Sequence, residues 1–478
     1  MEIKVEDLLR EIAELKLQLA KALARIEELE KENKLLREEN AMLKAKLNMN
    51  SSNSSLPPSS DRFVKKKDRS LRKKSNKPSG GQKGHKGSTL DKTNNPDFVV
   101  DLELCSCPHC SSTLKDTEIE DVKTRQVFDI PNINVLITEY RSQVKTCPHC
   151  KKKVSSEFPS NVTNPTQYGA NIRALITNLN IYHALPYNKI QEFLKDIFGI
   201  NLSQGTIANT LKKAFTSLEK VENFFKDELK KVTVLHADET GTKINGKNHW
   251  IHSCSNENYT VLTSHPNRGK KAIEEAGVLP KFSGILSHDC WYAYDCYPQI
   301  LHSLCWAHFL RELQSIEDNT NLKFPAKIRE FILNLKERIE KKEEISQEEE
   351  RRIYERYASL IEASKQEEKA YYQTDILETK KRRSKAFNLL KRLSRYEDVL
   401  RFFEERNVKL FTNNAAEREV RNVKIKSKIQ GAFRSELGSQ IYCRIRGYIA
   451  TMKKNGQTQY AALKSIFDLC EIMLPVVE

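Results

Sequence analysis

The chain has no apolar run approaching the roughly 20 residues that a membrane-spanning helix needs. Its first residues, Met1 to Arg10, lack the basic-then-apolar order of a secretory signal. A cytoplasmic chain with no membrane partner is therefore expected. Apolar residues are scarce overall, at 38% against the roughly 45–50% usual for globular chains, so part of the sequence is expected as solvated coil or exposed helix. Acidic charge falls short of basic charge, with 64 Asp and Glu against 80 Lys and Arg, a formal net charge of +16 and a pI near 9.1. That balance suits a polyanionic partner. The eleven cysteines do not read as a disulfide scaffold, being odd in number and spread over a large chain. At 478 residues and roughly 150 per domain, about three units are expected.

From Val5 to Leu47 the apolar residues repeat in heptads. Val5, Ile12, Leu19, Ile26, Asn33, Asn40 and Leu47 fill one seam position, and Leu8, Leu15, Ala22, Leu29, Leu36 and Leu43 the other. A narrow, long seam with charged flanks predicts a parallel two-stranded coiled coil over residues 1–47, with Asn33 and Asn40 fixing its register. Residues 48–95 read as linker, opening on NSSNSSLPPSS and carrying the flexible GGQKGHKG. Between Arg62 and Lys92 this linker holds twelve Lys or Arg and two Asp, a pattern suited to phosphate contacts without sequence selectivity.

Residues 96–160 contain two matching knuckles, Cys107-Pro-His-Cys110 and Cys147-Pro-His-Cys150, separated by a strand-like stretch from Thr124 to Val144. Two such turns supply the four thiolates of a closed, structural Zn²⁺ site, which would hold a small module folded. Cys105 is a competing ligand. Residues 165–228 read as helical, and the succession Asn188 to Phe198, Gly199 to Leu202 and Ser203 to Phe215 has the form of a helix-turn-helix. Ser203 would cap the second helix, and Gln204, Thr206 and Asn209 would face a major groove. A purely structural helical hairpin fits the same pattern.

Three acids carry the chemistry. A short apolar strand through His236 ends at Asp238. Two further strands, His249 to Ser253 and Tyr259 to Ser264, follow the turn at Asn245-Gly246. Another strand, Gly284 to His288, leads into Asp289. Glu417 stands in the first turn of a late helix. Its spacing from Asn414 also has the form of a capping box, which would make it a structural residue. Three convergent carboxylates can hold two Mg²⁺ or Mn²⁺ ions, the arrangement that in-line displacement at a phosphodiester requires. Asp295 is the runner-up for Asp289. Beyond Glu417, residues 420–454 hold nine Lys or Arg and one acid. Arg421, Lys424, Lys426, Lys428 and Arg434 are candidate phosphate contacts, with Arg268 and Lys270 a weaker group.

The motifs GGQKGHKG, CPHC twice, HADETG, HDCWYAY, LCWAHFLREL and NNAAEREVRNVKIKSKIQGAFRSELG run nearly end to end. Together they resemble the DDE transposases of the insertion-sequence-sixty-six family. The resemblance implies a multidomain α+β chain with an RNase H-like core at residues 229–324 and 408–478, a helical insertion at 325–407, and Asp238, Asp289 and Glu417 as the catalytic triad. It further implies element ends and target DNA as partners, a homodimer or larger synaptic assembly and a nucleoid location, and leaves open whether element-encoded accessory proteins take part. Many relatives carry Asn where Trp306 stands and Asp where Thr412 stands. Cys305 and His308 remain open between a buried structural pair and a small metal site. A non-catalytic DNA-binding regulator and a nuclease that never joins ends are the competing readings.

Overall fold

The computed structural model describes residues 5–47, 49, 90–131, 133–372, 384–468 and 472–475. Most of the basic linker, residues 50–89, lies outside the described residues. The chain divides into a large unit (residues 1–65, 142–193 and 201–478) and a small one (66–141 and 194–200). No helix among the described residues is long and apolar enough to cross a membrane.

Helix α1, Val5–Leu47, is continuous over 43 residues, as a segment free of Gly and Pro and rich in Leu, Lys and Glu allows. Ile12, Leu15, Leu19, Ile26, Leu29, Leu36 and Leu43 on its seam are all exposed.

The expected strand between the two cysteine pairs does not form. The described residues from Thr124 to Gln143 carry no strand, and the short antiparallel pair β1 (Val144–Thr146) and β2 (Lys153–Ser155) flanks the second knuckle instead. Val127, Ile130 and Ile137 stand exposed, so alternation in sequence found no sheet face to bury against.

Next come α2 (Ala170–Thr177), which runs into a π-helical turn, α3 (Tyr187–Phe198), α4 (Gln204–Ser217) and α5 (Glu219–Leu229). The expected helix, turn and helix are present in order. Gly199 adopts a φ of 65°, and Ser203 Oγ caps α4 by accepting the Thr206 N–H at 3.1 Å.

One five-stranded mixed sheet organises the rest. Its strands are β3 (Val234–Ile244), β4 (Lys247–Ser255), β5 (Thr260–His265), β6 (Ile285–His288) and β7 (Leu301–Leu304), with α6 (Lys270–Ala276) between β5 and β6. Their order is β5-β4-β3-β6-β7. β3, β4 and β5 form an antiparallel meander, while β6 and β7 add in parallel beside β3. Asn245 and Gly246, at φ 46° and 78°, make the tight β3–β4 turn in the mirror-image geometry that matches strand twist.

Helices α7 (Trp306–Asn319), α8 (Phe324–Glu340), α9 (Gln347–Tyr372), α10 (Lys385–Leu393) and α11 (Tyr396–Glu404) precede α12 (Asn414–Gln430), α13 (Glu436–Lys454) and α14 (Gln459–Ser465). The helices from α7 to α11 share a core with the β6–β7 edge, built on Trp306, Phe309, Ile328, Tyr357, Leu389 and Phe402. Trp306 anchors it: the ring is fully buried, stacks on Phe411 and donates its indole N–H to the Val399 carbonyl at 2.8 Å. On the opposite edge α13 packs against β5, where a Cβ on Gly447 would stand 3.0 Å from the Thr260 carbonyl.

Candidate active site

Asp238 does not end its strand. β3 continues to Ile244, and Asp238 sits at its middle opposite Ser253 of β4. The Ala237-to-Ile244 stretch is extended because the β4 hairpin pairs with all of it, which a reading of β3 alone could not anticipate. The parallel partner is the strand that ends. β6 pairs Val234 with Ile285 and His236 with Ser287, and the same register carried two residues further aligns Asp238 with Asp289, just past the end of β6.

Burial first, then the charges of Glu239, Asp289 and Glu417, push the Asp238 carboxyl well above the ordinary aspartate value of 3.8. Asp289 is raised too, by burial and then by Glu239, with His308 opposing. Glu417, 7% exposed, faces His308 Nδ1 at 3.8 Å, Arg311 Nη2 at 3.7 Å and Arg421 Nη2 at 2.7 Å.

The capping-box reading of Glu417 fails. The residue before α12 is Asn413, and no side chain caps that helix start. The Asn413 amide is employed elsewhere: Nδ2 donates to the Ala237 carbonyl at 2.6 Å and Oδ1 meets His236 Nδ1 at 3.1 Å. Its backbone N–H donates to Cys305 Sγ at 3.2 Å. Asn413 thus ties the start of α12 to β3 beside Asp238 and to the start of α7. Sequence reasoning missed this residue, having read the paired asparagines only as a helix start.

The neighbouring acids are committed. Glu239, its side chain 1% exposed, accepts from Arg268 Nε at 2.9 Å and Nη2 at 2.6 Å, and from the Tyr294 hydroxyl at 2.7 Å. The Arg268 guanidinium lies 4.8 Å from the Trp250 ring and 4.3 Å from that of Trp291. Arg268 thus clamps Glu239 from between the two indoles. Asp295 pairs with Arg395 at 2.9 Å, and Glu419 is buried near Arg446.

Among the candidate phosphate contacts, Arg421, Lys424, Lys428 and Arg434 are exposed, and Lys424 Nζ reaches the Gly241 carbonyl at 2.5 Å. Lys426 is different. It is buried with its ammonium 3.7 Å from the Phe433 ring centroid, and burial pulls its pKa down to about 8. On α4, Gln204 and Asn209 are exposed, whereas Thr206 is half-buried in the cap.

Each cysteine knuckle closes in the same way. Ser111 N–H donates to Cys107 O at 2.8 Å and Cys107 N–H to Ser112 O at 2.9 Å. Lys151 N–H donates to Cys147 O at 2.9 Å and Cys147 N–H to Lys152 O at 2.9 Å. Ser111 and Lys151 share a left-handed φ near 60°. Hydrogen bonds from Ser112 lower the Cys110 pKa, and the backbone N–H groups of Cys150 and His149 lower that of Cys147, which favours the thiolate that a metal binds.

The architecture and these groups define a chain equipped with a cysteine-knuckle module and a cluster of buried and half-buried carboxylates around a mixed sheet. The chain belongs to the transposase IS66 family, whose profile matches residues 165–441. The zinc-finger binding domain of transposase IS66 matches residues 105–151, the stretch that holds both knuckles, and a family of unknown function matches residues 1–91. No curated protein matches the chain. Membership implies transposition, DNA binding and a structural zinc.

Proposed function

We propose that the chain cuts DNA at the ends of its insertion sequence and joins the freed 3′-hydroxyl to target DNA, with Asp238, Asp289 and Glu417 as the catalytic carboxylates on an RNase H-like core. The observation that carries this reading is Asp238, half-buried on β3, with its pKa raised by desolvation and then by the charges of Glu239, Asp289 and Glu417. Like charges crowded in low dielectric are unfavourable unless cations join them. The donor set fits hard divalent ions: the strand acids offer oxygen ligands, and Glu417 Oε1 is buried without a hydrogen-bond partner among the described residues.

Two Mg²⁺ or Mn²⁺ ions held by Asp238, Asp289 and Glu417 would activate the attacking oxygen and neutralise the leaving one. The protein's own contribution is positioning. Asn413 fixes the glutamate helix to β3, while Arg268, wedged between Trp250 and Trp291, steadies the loop that follows Asp289, where Trp291 N–H donates to Asp289 Oδ1 at 3.2 Å. Arg421, Lys424, Lys428 and Arg434 would guide phosphates toward the site, and Gln204 and Asn209 would read element ends.

We further infer that Cys107, Cys110, Cys147 and Cys150 share one structural Zn²⁺ and that α1 pairs with a second copy as a parallel coiled coil, giving a dimer that holds two element ends. Joined products test the strand-transfer step. With Mg²⁺, labelled inverted-repeat ends and a target plasmid, the wild type should yield end-to-plasmid joints. Cleaved ends without joints would reduce the activity to that of a nuclease.

A further inference from the structure

Cys305, at the start of α7, and His308, in its first turn, meet Glu417 of α12. One ligand atom from each lies within 4.8 Å of the others, and His308 Nδ1 stands 3.8 Å from Glu417 Oε1. Both of those atoms are buried, and neither has a hydrogen-bond partner among the described residues. A merely structural pair would be expected to satisfy its polar atoms, because an unsatisfied buried group costs about 1–3 kcal/mol. Two atoms without hydrogen bonds that face one another at ion-pair distance beside a buried thiol have the geometry of a coordination set.

We propose that Cys305, His308 and Glu417 bind one Zn²⁺ ion, distinct from the zinc of the cysteine knuckles. The ligand chemistry selects the ion. A thiol is too soft for Mg²⁺ or Ca²⁺, whereas sulfur, imidazole and carboxylate are all zinc ligands, and three protein ligands leave one position open. Zinc–ligand bonds of about 2.0–2.3 Å arranged as a tetrahedron put ligand atoms about 3.3–3.8 Å apart. The His308–Glu417 separation is already close to that, and a side-chain adjustment of about 1 Å would bring in the sulfur.

The surroundings are compatible. The Asn413 N–H that reaches Cys305 Sγ at 3.2 Å would stabilise a metal-bound thiolate, the thiol proton passing to solvent on binding. Arg421, 69% exposed, occupies Glu417 Oε2 and leaves Oε1 to the ion. Arg311, 3.7 Å from Oε1, would have to turn away.

The regulatory consequence rests on the carboxylate reading above: zinc bound here takes the unsatisfied oxygen of Glu417, so zinc occupancy and the catalytic use of that glutamate compete. Zinc would act as a brake on the site.

The test is a zinc count on the full chain after equilibrium dialysis against micromolar Zn²⁺, by mass spectrometry of the metal. The wild type and Asp238→Asn should each hold one more zinc per chain than His308→Gln and Cys305→Ser. Metal-free protein loaded with cobalt in place of zinc should give a thiolate-to-cobalt absorption band that is weaker in Cys305→Ser than in the wild type, the remainder coming from the knuckle thiolates. Equal zinc in the wild type and His308→Gln overturns the proposal. That comparison stands alone should Cys305→Ser fail to fold, since His308 is partly exposed. Unchanged DNA cleavage by Asp238→Asn would sink the carboxylate reading and leave the zinc count untouched, so the two failures are separable.

Discussion

At the residue scale Asp238 is the most perturbed of the three proposed catalytic acids. Its folded pKa is raised above the unfolded value, so its contribution to stability is fully present below the unfolded pKa and is lost as pH rises through the folded one. In Mg²⁺-free buffer the melting temperature of Asp238→Asn should therefore gain on that of the wild type as pH rises above 3.8, and added Mg²⁺ should close the gap. Parallel melting curves at every pH would contradict it. Asn413→Ala should cost about 2–4 kcal/mol in denaturant unfolding, because it removes two buried side-chain hydrogen bonds and strands the Ala237 carbonyl and the His236 ring. It should also lower cleavage by displacing Glu417. Arg268→Lys should not rescue Arg268→Ala, since an ammonium lacks both the planar fork that bonds Glu239 and the face that lies between two indoles.

The sequence offered the three acids as residue types near apolar strands or opening a helix, but not that Asp238 lies inside β3 rather than at its end. The dual life of Glu417 was not resolvable there, because a capping box and a ligand share one spacing. In the structure the helix starts one residue earlier than that spacing assumes, with Asn413 at the cap position and no side chain capping it, so Glu417 is not held as a cap. The partners of Arg268 and Lys426 were not legible for a common reason: a cation's partner is set by tertiary neighbours, Glu239 in one case and Phe433 in the other.

At the element scale, hairpins and helix starts with local chemistry came through. Asn245-Gly246 and Ser203 act through their own backbone or that of residues three away. Long-range pairing did not come through, so β3 was read too short and Thr124 to Val144 as a strand. Gly284 shows how tightly β6 enters beside β3: a Cβ there would stand 2.5 Å from the Thr233 carbonyl. Gly284→Ala should destabilise by about 1–3 kcal/mol, read from the urea midpoint at unchanged m-value. In the knuckles, Cys147→Ser should lose one zinc per chain and make residues 105–151 protease-sensitive. Retention of zinc in that variant would contradict the four-thiolate assignment.

For the whole molecule, α1 presents an apolar seam to solvent along its length, which a second helix of the same kind would bury. Removal of residues 1–47 should halve the mass seen by light scattering, whereas an unchanged mass would place the dimer contact elsewhere. The long helix α1 and the two cysteine knuckles were legible because each has its own sequence period or spacing, whereas most of the basic linker lies outside the described residues. How helices α7 to α11 share a core with the β6–β7 edge was not legible, since that packing joins residues far apart in the chain.

The most direct test of the central claim is single-turnover cleavage of a labelled element end with Mg²⁺ by wild type and Asp238→Asn at matched folded concentration. The account predicts cleavage by the wild type and a loss on the order of 10³-fold or more in the variant. Equal rates in the two proteins would contradict it.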